Sequence, residues 1–222
     1  MIEFNLVWLI ILITNVLSFA LMILFSFFYG KKNDKEFSFT SHFPFECYPT
    51  ILKIFSFIFV ISLFATLGTI LPFIGEIGLD SILPIVICFV ISLTGVFMLV
   101  SFYLPLKYTK EHLIVSTLLI AGSFLSVALA SVRQFVSFSM VKRFNEGGYH
   151  LALGIVGCVF VLIMCFVIFN PKLKNWALLE EHLSNDEKIY KRPKYFPLAY
   201  SEWISILMIL IAQILFLTSL IE

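Results

Sequence analysis

The chain has 222 residues, of which 60% are hydrophobic and 13% charged, with a formal net charge of +1. Soluble globules are about half apolar and about a quarter charged, so this composition excludes a water-soluble fold and points to acyl chains as the solvent. The 15 Lys and Arg are balanced by 14 Asp and Glu and form no cluster interleaved with aromatics, so nucleic acid is not an expected partner.

A hydrocarbon core of about 30 Å takes about 20 apolar helical residues. On that scale the apolar runs predict six spans, over 5–29, 52–74, 82–104, 112–140, 150–169 and 203–221. The expected fold is all-α: a polytopic membrane protein, one domain over residues 1–222, built as a single antiparallel bundle of six transmembrane helices. The first run follows Glu3 instead of lysines, is too long for a signal-peptide core and lacks a small-residue cleavage pattern, and so reads as a retained helix. It carries Asn15, and Gln213 in the sixth run is the other amide near mid-membrane. An unpaired amide at that depth is costly, so both are expected to bond across helices.

In the fourth run Gly122, Ser126 and Ala130 recur every four residues, a smooth stripe that admits a close neighbour and predicts a central helix. Its ends are polar. His112 opens it, and Arg133 with Gln134 lies about 32 Å of helix rise further on, near the far interface. Side chains in such places commonly snorkel to the interface; the alternative is that they contact a partner. Gly154 and Gly157 in the fifth run read as helix contact points. In the last connector Glu180, Glu181 and His182 read as a solvated helical turn. That connector ends in "YFPLAYSEW". There Glu202 is expected in the first turn of the sixth helix, on the positive end of its dipole, and Trp203 at headgroup level. Pro197, Phe196 and Tyr200 would lay the connector along the membrane surface. The other reading makes Glu202 a contact for a partner or lipid headgroup. The candidate interface residues are thus His112, Arg133, Gln134, Glu202 and Trp203.

Cys88, Cys158 and Cys165 lie inside apolar runs and Cys47 near a loop, which predicts packed thiols and no disulfide framework. Among the connectors, the first, third and fifth hold eleven Lys and Arg, against two, Lys142 and Arg143, in the others. The positive-inside rule then places both termini outside the cytoplasm. Metal-binding helices, nucleophile elbows and phosphate loops are missing, and none of the six runs holds an ionisable group centrally, which weighs against an ion-coupled pump. The expectation is a non-enzymatic protein without cofactor or metal, partnered by membrane lipids, with other membrane proteins as the open alternative.

Three stretches, "FPFECYP", "LPLKYTKEH" and "FPLAYSEW", echo one another before the even-numbered helices, each with a proline and a glutamate. The first with its "FPFEC", the "EH" at 111–112, and the stretch "HLSNDEKIY" to "AYSEW" also resemble the six-helix family of damage-regulated autophagy modulators (DRAM), which includes the Frag and Sfk proteins. The resemblance spans the chain. It implies a protein of endolysosomal, Golgi or plasma membranes that regulates autophagy, membrane trafficking or lipid-linked processes, and a cytoplasmic amino terminus, opposite to the charge count. A second resemblance covers residues 1–104 only: "FPFECYP" and the helix ending "ILPF" look like chain 3 of NADH dehydrogenase, which implies an accessory subunit of a larger, respiratory-type complex. A small-solute transporter is the third class.

Overall fold

Among the described residues, six helices are long and apolar enough to cross a membrane. They are α1 (Ile2–Asn33), α3 (Lys53–Ile70), α4 (Ile82–Ser101), α5 (Thr109–Val141), α6 (Gly148–Ile168) and α7 (Pro197–Thr218). A single turn, α2 (Pro44–Cys47), stands between α1 and α3. The structure, a computed structural model, describes residues 2–47, 49, 53–71, 82–105, 107–141, 148–175, 180–184, 187–191 and 193–220.

The membrane part is all helical. The last connector adds a 3₁₀ turn, Pro171–Asn175, and two antiparallel strands, β1 (Glu180–Ser184) and β2 (Glu187–Lys191), in which Glu180 faces Lys191 and Ser184 faces Glu187. Glu180, Glu181 and His182 therefore sit in a strand and not in the expected helical turn. Their backbone groups bond to the neighbouring segment, a pairing that a run of charged residues does not display.

The spanning helices α1, α3, α4, α5 and α6 follow one another as packed neighbours, and α7 lies against α1, α4, α5 and α6 on the inner side of that arc. The predicted stripe does bring α5 close to α4. A Cβ added at Gly122 would lie 2.4 Å from Thr94 Oγ1, Ser126 Oγ is 3.5 Å from the same oxygen, and Ala130 is fully buried. Gly154 and Gly157 admit α5 in turn, since a Cβ at Gly157 would meet Ser131 Oγ at 2.1 Å and one at Gly154 would meet Phe135 at 2.9 Å.

The most enclosed helix, however, is α7 and not α5: 72% of its apolar window is buried, against 39% for α5 and 22% for α6. It also begins six residues before the expected 203. Phe196 caps it in an extended conformation (φ −104°, ψ 104°) and Pro197 follows at the first helical position, where its fixed φ suits a helix and its missing N–H leaves no bond unmade. Cys47 and Cys88 are buried, but Cys158 is exposed on α6, so it is not the packed thiol expected.

Candidate functional site

The early start of α7 moves Glu202 into its second turn, completely buried. There it faces His112 in the first turns of α5, also completely buried, with His112 Nε2 3.0 Å from Glu202 Oε1. His112 Nδ1 lies 2.7 Å from the carbonyl oxygen of Leu104. A carbonyl only accepts, so Nδ1 carries a proton and donates it; an otherwise neutral ring would then turn a lone pair on Nε2 toward the carboxylate. The contact is favourable only if one more proton is shared between Nε2 and Oε1, as imidazolium and carboxylate or as imidazole and carboxylic acid. Ser116 Oγ donates to the same Oε1 and has the His112 carbonyl oxygen as a second acceptor at 2.8 Å. Among the described residues neither His112 Nε2 nor Glu202 Oε2 makes a hydrogen bond of full geometry, so the pair meets as a close contact at 3.0 Å.

The first connector closes over this pair. Phe43 and Phe45, which flank Pro44 at the start of α2, each set a ring edge-on to His112 with centroids 5.4 Å apart. The turn is held by Glu46 Oε2, which accepts the Phe43 N–H at 2.8 Å, the returning half of a capping box. The last connector grips the first from the other side. Phe196 N donates to Thr40 O at 2.7 Å and Thr40 Oγ1 to Lys194 O at 3.0 Å. Trp203 is buried, its indole N–H donates to His42 O at 2.9 Å and its ring meets Phe39 edge-on at 4.8 Å. His42 in turn lies 3.0 Å from Asp34. Phe196 is buried as well. Phe196, Pro197 and Trp203, expected along the membrane surface, are thus the inner wall of a cap, because α7 enters the bundle at Pro197 and carries Trp203 with it; Tyr200 stays only half-buried.

The other polar residues form two separate clusters. Gln134, fully buried, donates through Nε2 to Leu215 O at 2.6 Å and Thr218 Oγ1 at 2.9 Å on α7, and its Oε1 lies 2.7 Å from Nδ1 of buried His150 on α6. Arg133 beside it is half-buried. His112 and Gln134 are therefore not snorkelling side chains, since each finds its partners inside the bundle. At mid-depth Asn15 Oδ1 accepts from Ser62 Oγ of α3, and Gln213 Nε2 donates to Thr66 Oγ1 of α3 at 2.7 Å. These two join α1 and α7 to one helix.

Of the five candidate interface residues, the structure brings together His112, Glu202 and Trp203 at one end and leaves Arg133 and Gln134 at the other. Sequence reasoning missed Ser116 and His150. Ser116 lies one turn after His112 on the same helix face, a signal that was present; His150 becomes a partner only once α5 and α6 pair antiparallel. Serine, histidine and glutamate together hold the side-chain types of a hydrolytic triad, yet the hydroxyl sits on the carboxylate and not on the imidazole, so no base is aligned to activate it. Among the described residues no group of three His, Cys, Asp or Glu could hold a metal ion.

No family model, curated protein or solved structure matches this chain. The fold defines the class: an integral, multi-pass membrane protein with a buried histidine–glutamate pair under one end of its bundle.

Proposed function

We propose that the protein acts without catalysis, as a regulator of autophagy, membrane trafficking or a lipid-linked membrane process, through lipid or protein contacts made where its connectors converge. The observation that carries this reading is the complete enclosure of His112 and Glu202. A pair sealed under Phe43 and Phe45, with its serine turned to the carboxylate, fixes the shape of that end and meets no substrate. The functional class and the endolysosomal, Golgi or plasma-membrane location come from the DRAM-family resemblance, of which "FPFEC", "EH" and the closing "SEW" supply Phe43, Phe45, His112 and Glu202. Extraction in mild detergent followed by native mass measurement tests the reading: a lone chain or small homo-oligomer is expected, and a large stoichiometric assembly would favour the accessory-subunit alternative.

One observation favours the solute-carrier alternative. Ionisable residues within spanning helices commonly mark ion or proton pathways, and His112 and Glu202 both fall inside such helices. Purified protein in vesicles carrying a pH gradient and a pH-sensitive dye separates the two: the contact reading expects no dissipation above empty vesicles.

A further inference from the structure

Where α6 ends and α7 begins, a half-open groove of about 230 Å³ lies between the two helices. Its inner wall is made by Ile163 and Val167 of α6 and by Ile204 and buried Ser201 of α7, and its rim is polar, made by Asn170, Tyr195 and Tyr200. The side facing the hydrocarbon is lined by Phe166, which is 80% exposed. The rim lies at the boundary between spanning helix and connector, and the two tyrosine rings, 5.5 Å apart, are the amphipathic kind that sit at headgroup level.

The hydrogen bonding of the rim uses the Tyr195 oxygen as an acceptor. Asn170 Nδ2 donates to Tyr195 OH at 3.3 Å, while Asn170 Oδ1 accepts the Lys172 N–H at 3.0 Å. The Tyr195 oxygen thus accepts, and its own O–H remains to donate. Burial pushes the Tyr195 phenol above its ordinary range, so it stays protonated. Lys172, two residues after Asn170, and Lys194, one before Tyr195, are both exposed, and none of the described lining residues is acidic.

We infer that this groove binds one anionic glycerophospholipid, its phosphate held by Tyr195 with Lys172 and Lys194, and one acyl chain laid along Ile163, Val167 and Ile204. Charge complementarity selects the headgroup, since lysines near a membrane surface favour anionic lipids. The opening toward the hydrocarbon selects a lipid over a soluble phosphate. The volume is below the roughly 300–1,000 Å³ of a pocket for a drug-sized molecule, so it takes the glycerol region and the upper part of one chain while the remainder lies in the bilayer along α6. This inference deepens the contact reading above and rests on it for the use made of the bound lipid.

The test equilibrates the detergent-purified protein with equal amounts of phosphatidylglycerol and phosphatidylcholine and counts retained lipids by native mass spectrometry. The wild type is expected to keep one phosphatidylglycerol in preference to phosphatidylcholine. Lys172→Gln and Lys194→Gln should each lower that preference by about fivefold, and Ile204→Trp, which fills the groove, should remove the retained lipid of either headgroup. Added inorganic phosphate should not displace it. Equal retention of the two lipids, or an unchanged preference in the double lysine variant, would overturn the inference, as would displacement by phosphate or a dimer that excludes lipid. The lysine variants lie at the exposed surface, so the test survives a failure of Ile204→Trp to fold. A lone chain without lipid preference defeats the groove and leaves the contact reading; a large assembly that keeps phosphatidylglycerol does the reverse.

Discussion

Two described histidines on the spanning helices, His112 and His150, are enclosed at opposite ends of the bundle, and the two are served differently. His150, 1% exposed, lies against the amide of Gln134, which reaches Leu215 and Thr218 in turn, so that one amide joins α5 to both α6 and α7. His112, 0% exposed, faces the carboxylate of Glu202 and is covered by rings from the first connector. An uncharged amide is cheap to bury once its donors and acceptor are bonded. A histidine–glutamate pair loses hydration on both sides, and mutual attraction repays that only when geometry and further hydrogen bonds are good. The costlier arrangement stands where three connector stretches converge, and this is the end to which we assign function.

The first way to sharpen the comparison is all-or-none. Single cysteines at Asp186→Cys and Glu146→Cys, probed with a membrane-impermeant reagent in a chain freed of its own thiols, report which end faces the cytoplasm. The lysine distribution predicts labelling from outside at 146 alone; labelling at 186 alone would reverse the orientation and agree with the topology drawn for the DRAM family.

The remaining predictions are energetic. Glu202→Ala should cost about 3–5 kcal/mol in detergent unfolding, because it strands His112 in the bundle without its partner. Glu202→Gln should cost less, since the amide N–H can take the place of Oε1 and donate to Nε2 while Ser116 turns to its other acceptor, the His112 carbonyl oxygen. At the other end Gln134→Leu should cost about 1–3 kcal/mol, the range for stranding buried neutral groups. If it costs as much as Glu202→Ala, the two ends are not different in kind. Trp203→Phe keeps the ring against Phe39 and removes only the N–H to His42, so it should cost about 0.5–1.5 kcal/mol. It should also expose the first connector to protease while leaving the Gln134 end unchanged.

The spans were legible because an apolar run long enough to cross a bilayer has few alternatives. Their burial was not, since lipid and protein interior both accept Leu, Ile and Phe. A trace was present even so: α6, the most apolar span, is the least buried, and α7, the least apolar, is the most buried. A helix surrounded by protein has partners for Glu202 and Gln213, whereas one facing acyl chains has none. The polar ends were read as interfacial because residues near the ends of an apolar run usually reach water. Here α7 starts at Pro197, earlier than its apolar run, and the first connector folds back over it, so protein encloses these residues further out than either run shows. The three echoing stretches were visible as helix starts, but their convergence depends on connectors whose paths are set by contacts such as Phe196 N to Thr40 O.

The most direct test of the account is a double-mutant cycle on the pair itself, with His112→Leu, Glu202→Leu and the combined variant compared by unfolding in mild detergent. Each single change should cost about 3–5 kcal/mol by leaving a polar group buried alone, and the combination should recover most of that loss, since an apolar pair of fitting volume is often as stable as a buried ion pair. Ser116 keeps the His112 carbonyl oxygen as an acceptor in all three variants. Losses that simply add would show that His112 and Glu202 do not act as a pair, and would contradict the account.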